Sequence, residues 1–463
     1  MTAGAVALQS IRSEPAGAAD LPEERLVEPV SLQSELMGKL CLALHEASPL
    51  TPVEQVMANA EPLRSGGLAD RLGYAILLGR VGGWERALEE IDAIEIPETE
   101  AGSDATDLVA RVRARIAEPA AGGDVDEEAE GAAPGTAEVA PGQAARPESA
   151  LETRLGFFAR ILDGDADGEA MRTLAAMIAV GAWYAVVFLA GVAVLGTLLG
   201  YGVFGRLRPR LEPVGEGHAA VVLGETFALW MGSFLLLTVT AAIAGGLLAD
   251  ILGEAFLDYA GALSASAFLA SLWVLAYPRL RGIGWSALRR AIGLHAGAGV
   301  LREAGHGVLC YLGAIPFLAF GLAVYALLSI LREFVAGGGA QPSHPAVEQL
   351  GSAGPAGIAL LFLLAAVVAP IVEEIAFRGI LYGHLRGVVS PRIRVASALV
   401  AALASSFIFA VVHPQGILFV PALGGLAVGF CLFRELRGSL IAPMVAHGIN
   451  NAVTLTIGLW LMG

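Results

Sequence analysis

Long apolar runs dominate the chain from about residue 173 onward. Most are about twenty residues or longer, the length that crosses a bilayer as an α-helix. They do not alternate polar and apolar residues as barrel strands do, so helices are the spanning structure to expect. The sequence predicts about eight spans, near residues 173–202, 219–248, 256–277, 306–331, 354–385, 395–413, 416–433 and 440–462. The expected fold is therefore an all-α, polytopic transmembrane bundle.

The negative charge of the chain lies almost entirely in its N-terminal part. The sequence has 463 residues, a formal net charge of −15 and only 16% charged residues. Residues 1–150 contain 27 Asp and Glu against 11 Lys and Arg, so the remainder is close to neutral. Proteins that bind nucleic acid present a basic surface. The composition therefore argues against nucleic acid and indicates the lipid bilayer as the main partner.

The acidic N-terminal extension is expected to be mostly helical. Residues 1–30 are rich in Pro, Gly and acids and lack the apolar core of a secretory signal, so we expect disorder there. Residues 31–117 have a helical pattern, and the stretch around Trp84 resembles part of a tetratricopeptide unit. Because a solenoid needs about three repeats, we predict a small, weakly tetratricopeptide-like domain that binds a protein partner. An acidic Ala/Gly/Pro linker is predicted over 118–150 and the transmembrane domain over 151–463.

Arginines predict the orientation of the membrane domain, because cytoplasmic loops carry an excess of Lys and Arg. Most arginines after residue 150 follow the odd-numbered spans: Arg206, Arg208, Arg210, Arg279, Arg281, Arg289, Arg290, Arg302, Arg386, Arg392, Arg394, Arg434 and Arg437. We therefore expect these loops, and the opening of the site, on the cytoplasmic side of a bacterial-type inner membrane. Parity then places the N-terminal domain outside, whereas the lack of a signal segment favours the inside. The sequence leaves that side open.

Three segments break the rule that membrane helices are apolar. Their polar residues are Glu373, Glu374 and Arg378 in the fifth span, His413 at the end of the sixth, and His447, Asn450 and Asn451 in the eighth. A charged side chain at the bilayer centre costs about 2.5–3.5 kcal/mol on insertion scales. Such residues usually face a polar interior and serve function.

The spacing of these residues along a helix predicts which of their side chains share a face. Glu374 and Arg378 are four residues apart, which suits an ion pair on one helix face. Glu373 lies about 100° away around the helix and can face other groups. His447 and Asn451 are also four apart, so they present an imidazole and an amide to one point, although Asn450 could compete for that role.

Phe409 shares a helix face with His413 and is expected to wall the same cavity. Two chemistries suit a cavity with one carboxylate, two imidazoles and an amide. Glu373 could act as general base for a water, with histidine and asparagine groups stabilising the oxyanion. Alternatively, Glu373, His413 and His447 could bind Zn²⁺ with an open water position. No HExxH motif is present, so the spacing does not demand a metal.

The three motifs together resemble those of the CPBP family. This group of intramembrane proteases includes the type II CAAX prenyl endopeptidases and the bacteriocin-processing and immunity proteins. The motifs are Glu373-Glu374-x-x-x-Arg378, Phe409-x-x-x-His413 and His447-x-x-x-Asn451, and they lie within residues 350–463, the protease-like core. The resemblance implies an endopeptidase that cleaves a membrane-associated peptide or protein. It implies that Glu373 is essential, that His413, His447 and Asn451 complete the site, and that Glu374 and Arg378 support it.

Two other functions remain open from the sequence. A proton-coupled transporter or channel could use the buried Glu and His residues as a relay, and it would be expected to show inverted repeats. No such symmetry is evident in the sequence. A non-catalytic scaffold or immunity protein of the same family could instead act through its N-terminal domain.

Overall fold

The computed structural model describes residues 27–96, 102–121, 148–164, 166–207, 210–211, 217–252, 260–336, 354–388 and 394–462. Within these ranges every regular element is helical, which confirms the all-α prediction. Most of the segment predicted to be disordered, residues 1–26, lies outside the described residues. So does most of the predicted linker, residues 122–147.

The chain forms two compact units that divide near residue 181. The first unit therefore extends beyond residue 151, where the membrane domain was predicted to begin. Its helices are α1 (Leu32–Ala47), α2 (Val53–Ala58), α3 (Glu61–Arg64), α4 (Leu68–Gly82), α5 (Trp84–Asp92), α6 (Ser103–Ala121), α7 (Glu148–Leu155), α8 (Phe157–Leu162) and the start of α9 (Asp167–Val203).

Close packing and one buried ion pair hold the first unit together. Helices α4 and α5 form a hairpin across Gly83, whose φ of 103° favours glycine. A Cβ at Gly79 would lie 2.2 Å from the Trp84 ring, so the two helices touch through a glycine. Lys39, the single lysine of the chain, is buried and lies 2.6 Å from the Glu169 carboxylate. Glu169 belongs to the first turn of α9, which explains why this part of the chain packs with the N-terminal helices.

The second unit contains the remaining helices. They are α10 (His218–Leu252), α11 (Ala260–Ala270), α12 (Tyr277–Leu280), α13 (Trp285–Ile292), α14 (Val300–Ala336), the glutamate helix (Pro355–Val388), α15 (Arg394–Val411), α16 (Val420–Arg437) and α17 (Ile441–Met462). A 3₁₀ segment, Ser271–Ala276, joins α11 to α12.

Six helices among the described residues are long and apolar enough to cross a bilayer. They are Gly168–Val203, His218–Ile251, Ala262–Leu280, Val300–Arg332, Pro355–Val388 and Ile417–Arg437. The protein is thus a polytopic helical membrane protein. Two of the eight predicted spans fall outside this set. Helix α15 has 18 residues, slightly short for a hydrocarbon core of about 30 Å, and His447 and two asparagines reduce the hydropathy of α17.

Helices α14 and α16 approach each other through small residues. A Cβ at Gly425 would lie 2.3 Å from the Phe317 carbonyl oxygen, and one at Gly429 would lie 2.6 Å from the Ala314 Cβ. The Gly425-x-x-x-Gly429 spacing thus lets two membrane helices touch at their backbones. This contact sets the position of α16, which lies beside the helices that carry the site.

The glutamate helix is not a continuous α-helix. It contains two π-helical segments, Leu364–Val368 and Ile375–Leu381, which flank the turn that carries both glutamates. Pro370 accounts for the first segment, because proline lacks an N–H and its ring clashes with the carbonyl of Ala366, four residues earlier. Such π segments occur frequently at functional sites. A rotation of about 100° per residue therefore does not hold along the whole glutamate helix, so the directions of the glutamates cannot be obtained from sequence spacing alone.

Candidate active site

The structure brings Glu373 together with both predicted histidines. The Oε2 atom of Glu373 lies 4.0 Å from Nε2 of His413 and 3.7 Å from Nε2 of His447. The Glu373 and His413 side chains retain 14% and 19% of their exposure, whereas Glu374 retains none. Glu373 is therefore partly accessible from the surface of the bundle, and its neighbour Glu374 is not.

Each histidine has its other ring nitrogen fixed. Nδ1 of His413 lies 2.6 Å from the carbonyl oxygen of Phe409, and Nδ1 of His447 lies 2.9 Å from Oε1 of Glu374. A carbonyl or carboxylate oxygen only accepts, so both Nδ1 atoms must donate. In the neutral rings each Nε2 then carries a lone pair and lies within 4.0 Å of the Glu373 carboxylate. These acceptors suit a bridging water that donates its hydrogens, a shared proton or a cation.

Glu374 lies behind His447 and contacts it and Arg378, both of which were predicted to belong to the site. Its Oε1 accepts from His447 and lies 3.0 Å from Nη1 of Arg378, and both members of this ion pair are buried. The Arg378 guanidinium also lies 4.3 Å from the Phe409 ring centroid and 5.3 Å from that of Phe430. Glu374 thus holds His447 on one side and a cation between two aromatic rings on the other.

Asn451 faces a different group from the one expected. Its side-chain nitrogen donates to the Ala365 carbonyl oxygen at 2.8 Å, and its oxygen accepts from Asn450 at 3.3 Å. Ala365 lies in the first π segment. One turn earlier, a Cβ at Gly448 would lie 2.5 Å from the Ala366 carbonyl oxygen. Asn451 therefore docks α17 on the glutamate helix, because the proline-distorted turn leaves its carbonyls accessible.

Phe409 is buried among the polar residues, as expected of a wall. Its ring centroid lies 4.2 Å from that of His413 and 5.9 Å from that of His447. Two further rings were not predicted from the sequence: Phe430, which lies 5.6 Å from the His447 ring, and Phe377, which meets Phe409 edge-on at 5.1 Å. Nothing in their local sequence distinguishes these two from other apolar residues of the spans.

The three candidate ligands, one carboxylate and two imidazoles, are of the types that bind zinc. A carboxylate with two imidazoles whose Nδ1 atoms are anchored is typical of a His₂Glu site. Bonds of about 2.0–2.1 Å in tetrahedral geometry would bring donor atoms to about 3.4 Å, closer than those observed here. Accordingly, no group of three His, Cys, Asp or Glu side chains in the described part of the chain is arranged closely enough to hold a metal ion.

Comparison with known proteins gives two matches. Residues 355–453 match the family described as type II CAAX prenyl endopeptidase Rce1-like. The chain is also similar to the membrane-embedded CAAX protease MroQ of Staphylococcus aureus (strain USA300), with 27% identity over 141 residues. That match covers 30% of this chain and 55% of the relative, so the chain spans about half of the relative's length.

No solved structure matches the chain. The matched residues 355–453 include Glu373, His413 and His447. Both matches support the assignment of residues 355–453 to the CPBP family, the group to which the type II CAAX prenyl endopeptidases belong.

Proposed function

We propose that the protein is an intramembrane endopeptidase that cleaves a membrane-associated peptide or protein with a water activated at Glu373. One observation carries the proposal: a partly exposed carboxylate lies within 4.0 Å of the Nε2 atoms of two histidines. At these distances a single water can lie between the three groups and contact all of them. The two family matches support a protease rather than a transporter.

In the proposed mechanism Glu373 takes part in both proton transfers. A water between Glu373 and the histidines donates one hydrogen to the carboxylate, and its oxygen attacks the peptide carbonyl carbon. The new C–O bond turns the carbonyl oxygen into an oxyanion. When the C–N bond breaks, protonated Glu373 returns its proton to the leaving nitrogen. Glu373 is thus base first and acid second.

His447 and Asn451 are proposed to stabilise the oxyanion. A histidine whose Nδ1 already donates can offer Nε2–H only as an imidazolium, and in that form His447 would donate to the oxyanion. An amide has two N–H groups, so Asn451 can hold the Ala365 carbonyl with one and offer the other. In this scheme Phe409 and Arg378 position the histidines and do not react.

If a zinc ion binds, Glu373, His413 and His447 would hold it, and it would polarise the substrate carbonyl and activate the bound water. The metal content of the purified protein decides between the two mechanisms. Zinc that is stoichiometric in the wild type and lost in both His413→Ala and His447→Ala would select the metal-dependent one.

The test does not require an identified substrate. Purified protein in lipid nanodiscs is mixed with a solubilised bacterial membrane fraction, and new peptide N-termini are identified by mass spectrometry. We expect a set of N-termini produced by wild type and by Glu225→Gln, a half-exposed carboxylate in α10 outside the site. Glu373→Gln and His413→Ala should not produce them. Identical N-termini from all four proteins would refute the proposal.

A further inference from the structure

The second π segment of the glutamate helix has carbonyl groups that bond to other helices. The Tyr382 N–H donates to the Phe377 carbonyl oxygen, five residues earlier, which is the π pattern. The same oxygen also accepts from the Ser405 hydroxyl at 3.2 Å, although a carbonyl within a regular helix usually bonds only along the helix. The next carbonyl, that of Arg378, accepts from Nε of Arg434 at 3.3 Å. Helices α15 and α16 therefore hold two successive carbonyls of this segment.

Ser405 lies one turn before Phe409 on the same face of α15. His413 follows Phe409 by four residues and lies two residues beyond the end of the helix. The His413 ring is in turn fixed through the Phe409 carbonyl oxygen. One hydroxyl therefore joins the part of α15 that leads to His413 to the turn that follows Glu373 and Glu374. Ser405 is buried, and its side chain points into the bundle.

The relative rotation of the two helix halves depends on this π segment. A π turn holds one more residue than an α turn, and each α-helical residue adds about 100° and 1.5 Å. If the segment closed to α-helical bonding, the part before it would rotate by about one residue relative to the part after it. Glu373 would then turn by about that angle relative to the two Nε2 atoms. The observed alignment of Glu373 with the histidines therefore corresponds to the π form.

We propose that Ser405 is a positioning residue that keeps the second π segment open through the Phe377 carbonyl and thereby keeps Glu373 directed at His413 and His447. Arg434 supports the same conformation by donating to the next carbonyl oxygen, that of Arg378. This inference deepens the proposed function and rests on it for its effect on catalysis. Its structural part stands without it.

Ser406 provides a matched control. It is the same residue type, adjacent in α15 and equally buried, with 2% exposure against 1% for Ser405. Its hydroxyl lies 3.8 Å from Sγ of Cys431 in α16 and does not bond the glutamate helix. Ser406→Ala therefore removes one buried hydroxyl at the same depth without removing a hydrogen bond to a carbonyl of the π segment.

Two measurements test the inference on the full chain in nanodiscs. Amide exchange followed by mass spectrometry should show residues 375–388 exchanging about fivefold faster in Ser405→Ala than in Ser406→Ala, the effect of one hydrogen bond on an opening equilibrium. Turnover of the substrates found above should fall about 10²-fold in kcat with little change in KM for Ser405→Ala alone, because misplacement of about 1 Å has that effect.

The outcomes separate this inference from the proposed function. Equal exchange in the two serine variants over residues 375–388 would overturn the positioning role, whatever the activity. Faster exchange in a protein that cleaves nothing would leave the positioning of the segment supported and refute the protease. If Ser405→Ala does not fold, Ser405→Cys takes its place, because a thiol is of similar size and a weak donor. It must show the same local difference in exchange.

Discussion

Glu374 binds two partners through a single oxygen atom. Oε1 accepts from Nδ1 of His447 and lies 3.0 Å from Nη1 of Arg378, and no water reaches the carboxylate. The negative charge therefore serves the ion pair and the orientation of His447 at once. Groups that orient a reactive histidine are typically worth 10–100-fold in activity or metal affinity.

Replacing Glu374 by glutamine should therefore lower both stability and turnover. The change leaves Arg378 buried without a counter-charge, which costs about 3–5 kcal/mol, and it weakens the hydrogen bond that orients the His447 ring. We expect a lower thermal midpoint and turnover reduced about 10–100-fold. Glu435→Gln is the matched control, because Glu435 forms a comparably buried pair with Arg386, 2.8 Å away. Equal losses of turnover per folded molecule in the two variants would contradict the role of Glu374.

At the scale of elements, the contact between α14 and α16 depends on glycine at particular positions. A methyl group at Gly425 would lie 2.3 Å from the Phe317 carbonyl oxygen, which is backbone and cannot turn away. The adjacent Gly424 has room, since its nearest neighbour would be 3.9 Å away. The two glycines therefore differ in what they contribute, although they are consecutive in sequence.

Gly425→Ala should separate the two helices, whereas Gly424→Ala should be tolerated. Overpacking of this kind typically costs about 1–3 kcal/mol, while alanine in a helix is favoured over glycine by about 1 kcal/mol. We expect the thermal midpoint in detergent to fall for Gly425→Ala and to stay level or rise for Gly424→Ala. Equal thermal midpoints in the two variants, or a lower midpoint for Gly424→Ala than for Gly425→Ala, would show that the helices are not in backbone contact there.

At the scale of the whole molecule, the orientation in the membrane can be tested on one helix. Leu301 and Phe334 lie near opposite ends of α14 and are 89% and 88% exposed. They are 33 residues apart, about 50 Å along a helix and more than the thickness of the hydrocarbon core. Cysteine at one position should therefore be labelled from the cytoplasm and at the other from outside.

The arginine distribution predicts which end is which. A membrane-impermeant maleimide should label Phe334→Cys in intact cells and Leu301→Cys only after permeabilisation. The parent chain is a suitable background, since Cys41, Cys310 and Cys431 are all buried. Leu50→Cys, 96% exposed in the first unit, reports the side of the N-terminal domain. Reversed labelling of Leu301→Cys and Phe334→Cys would overturn the predicted orientation of the site.

The sequence predicted the helical membrane fold and the residues that meet at the candidate site, because both follow from simple patterns. Apolar runs give spans, and polar residues such as Glu373 and His447 in those runs need an interior to face. The direction of Asn451 was not predictable in this way. It depends on the Ala365 carbonyl, which becomes accessible where the helix widens before Pro370.

Other contacts of the site leave no trace in local sequence. Phe430 is one apolar residue among many in its span, and its place beside His447 is decided by how α16 packs. Arg434 counts as a topology marker in the sequence, yet its side chain is buried and bonds the Arg378 carbonyl. Such roles depend on contacts between segments that are distant in sequence. Hydrophobic periodicity and composition do not predict these contacts.

The second π segment, Ile375–Leu381, has a genetic consequence. Because a π turn is an α turn with one residue added, deletion of a single codon there would restore a regular helix without removing any polar residue of the site. A lineage could lose the alignment of Glu373 with the histidines by one small deletion and regain it by one insertion. Reading the motif letters alone would therefore not reveal whether a relative keeps a working site; the number of residues between the motifs matters as well.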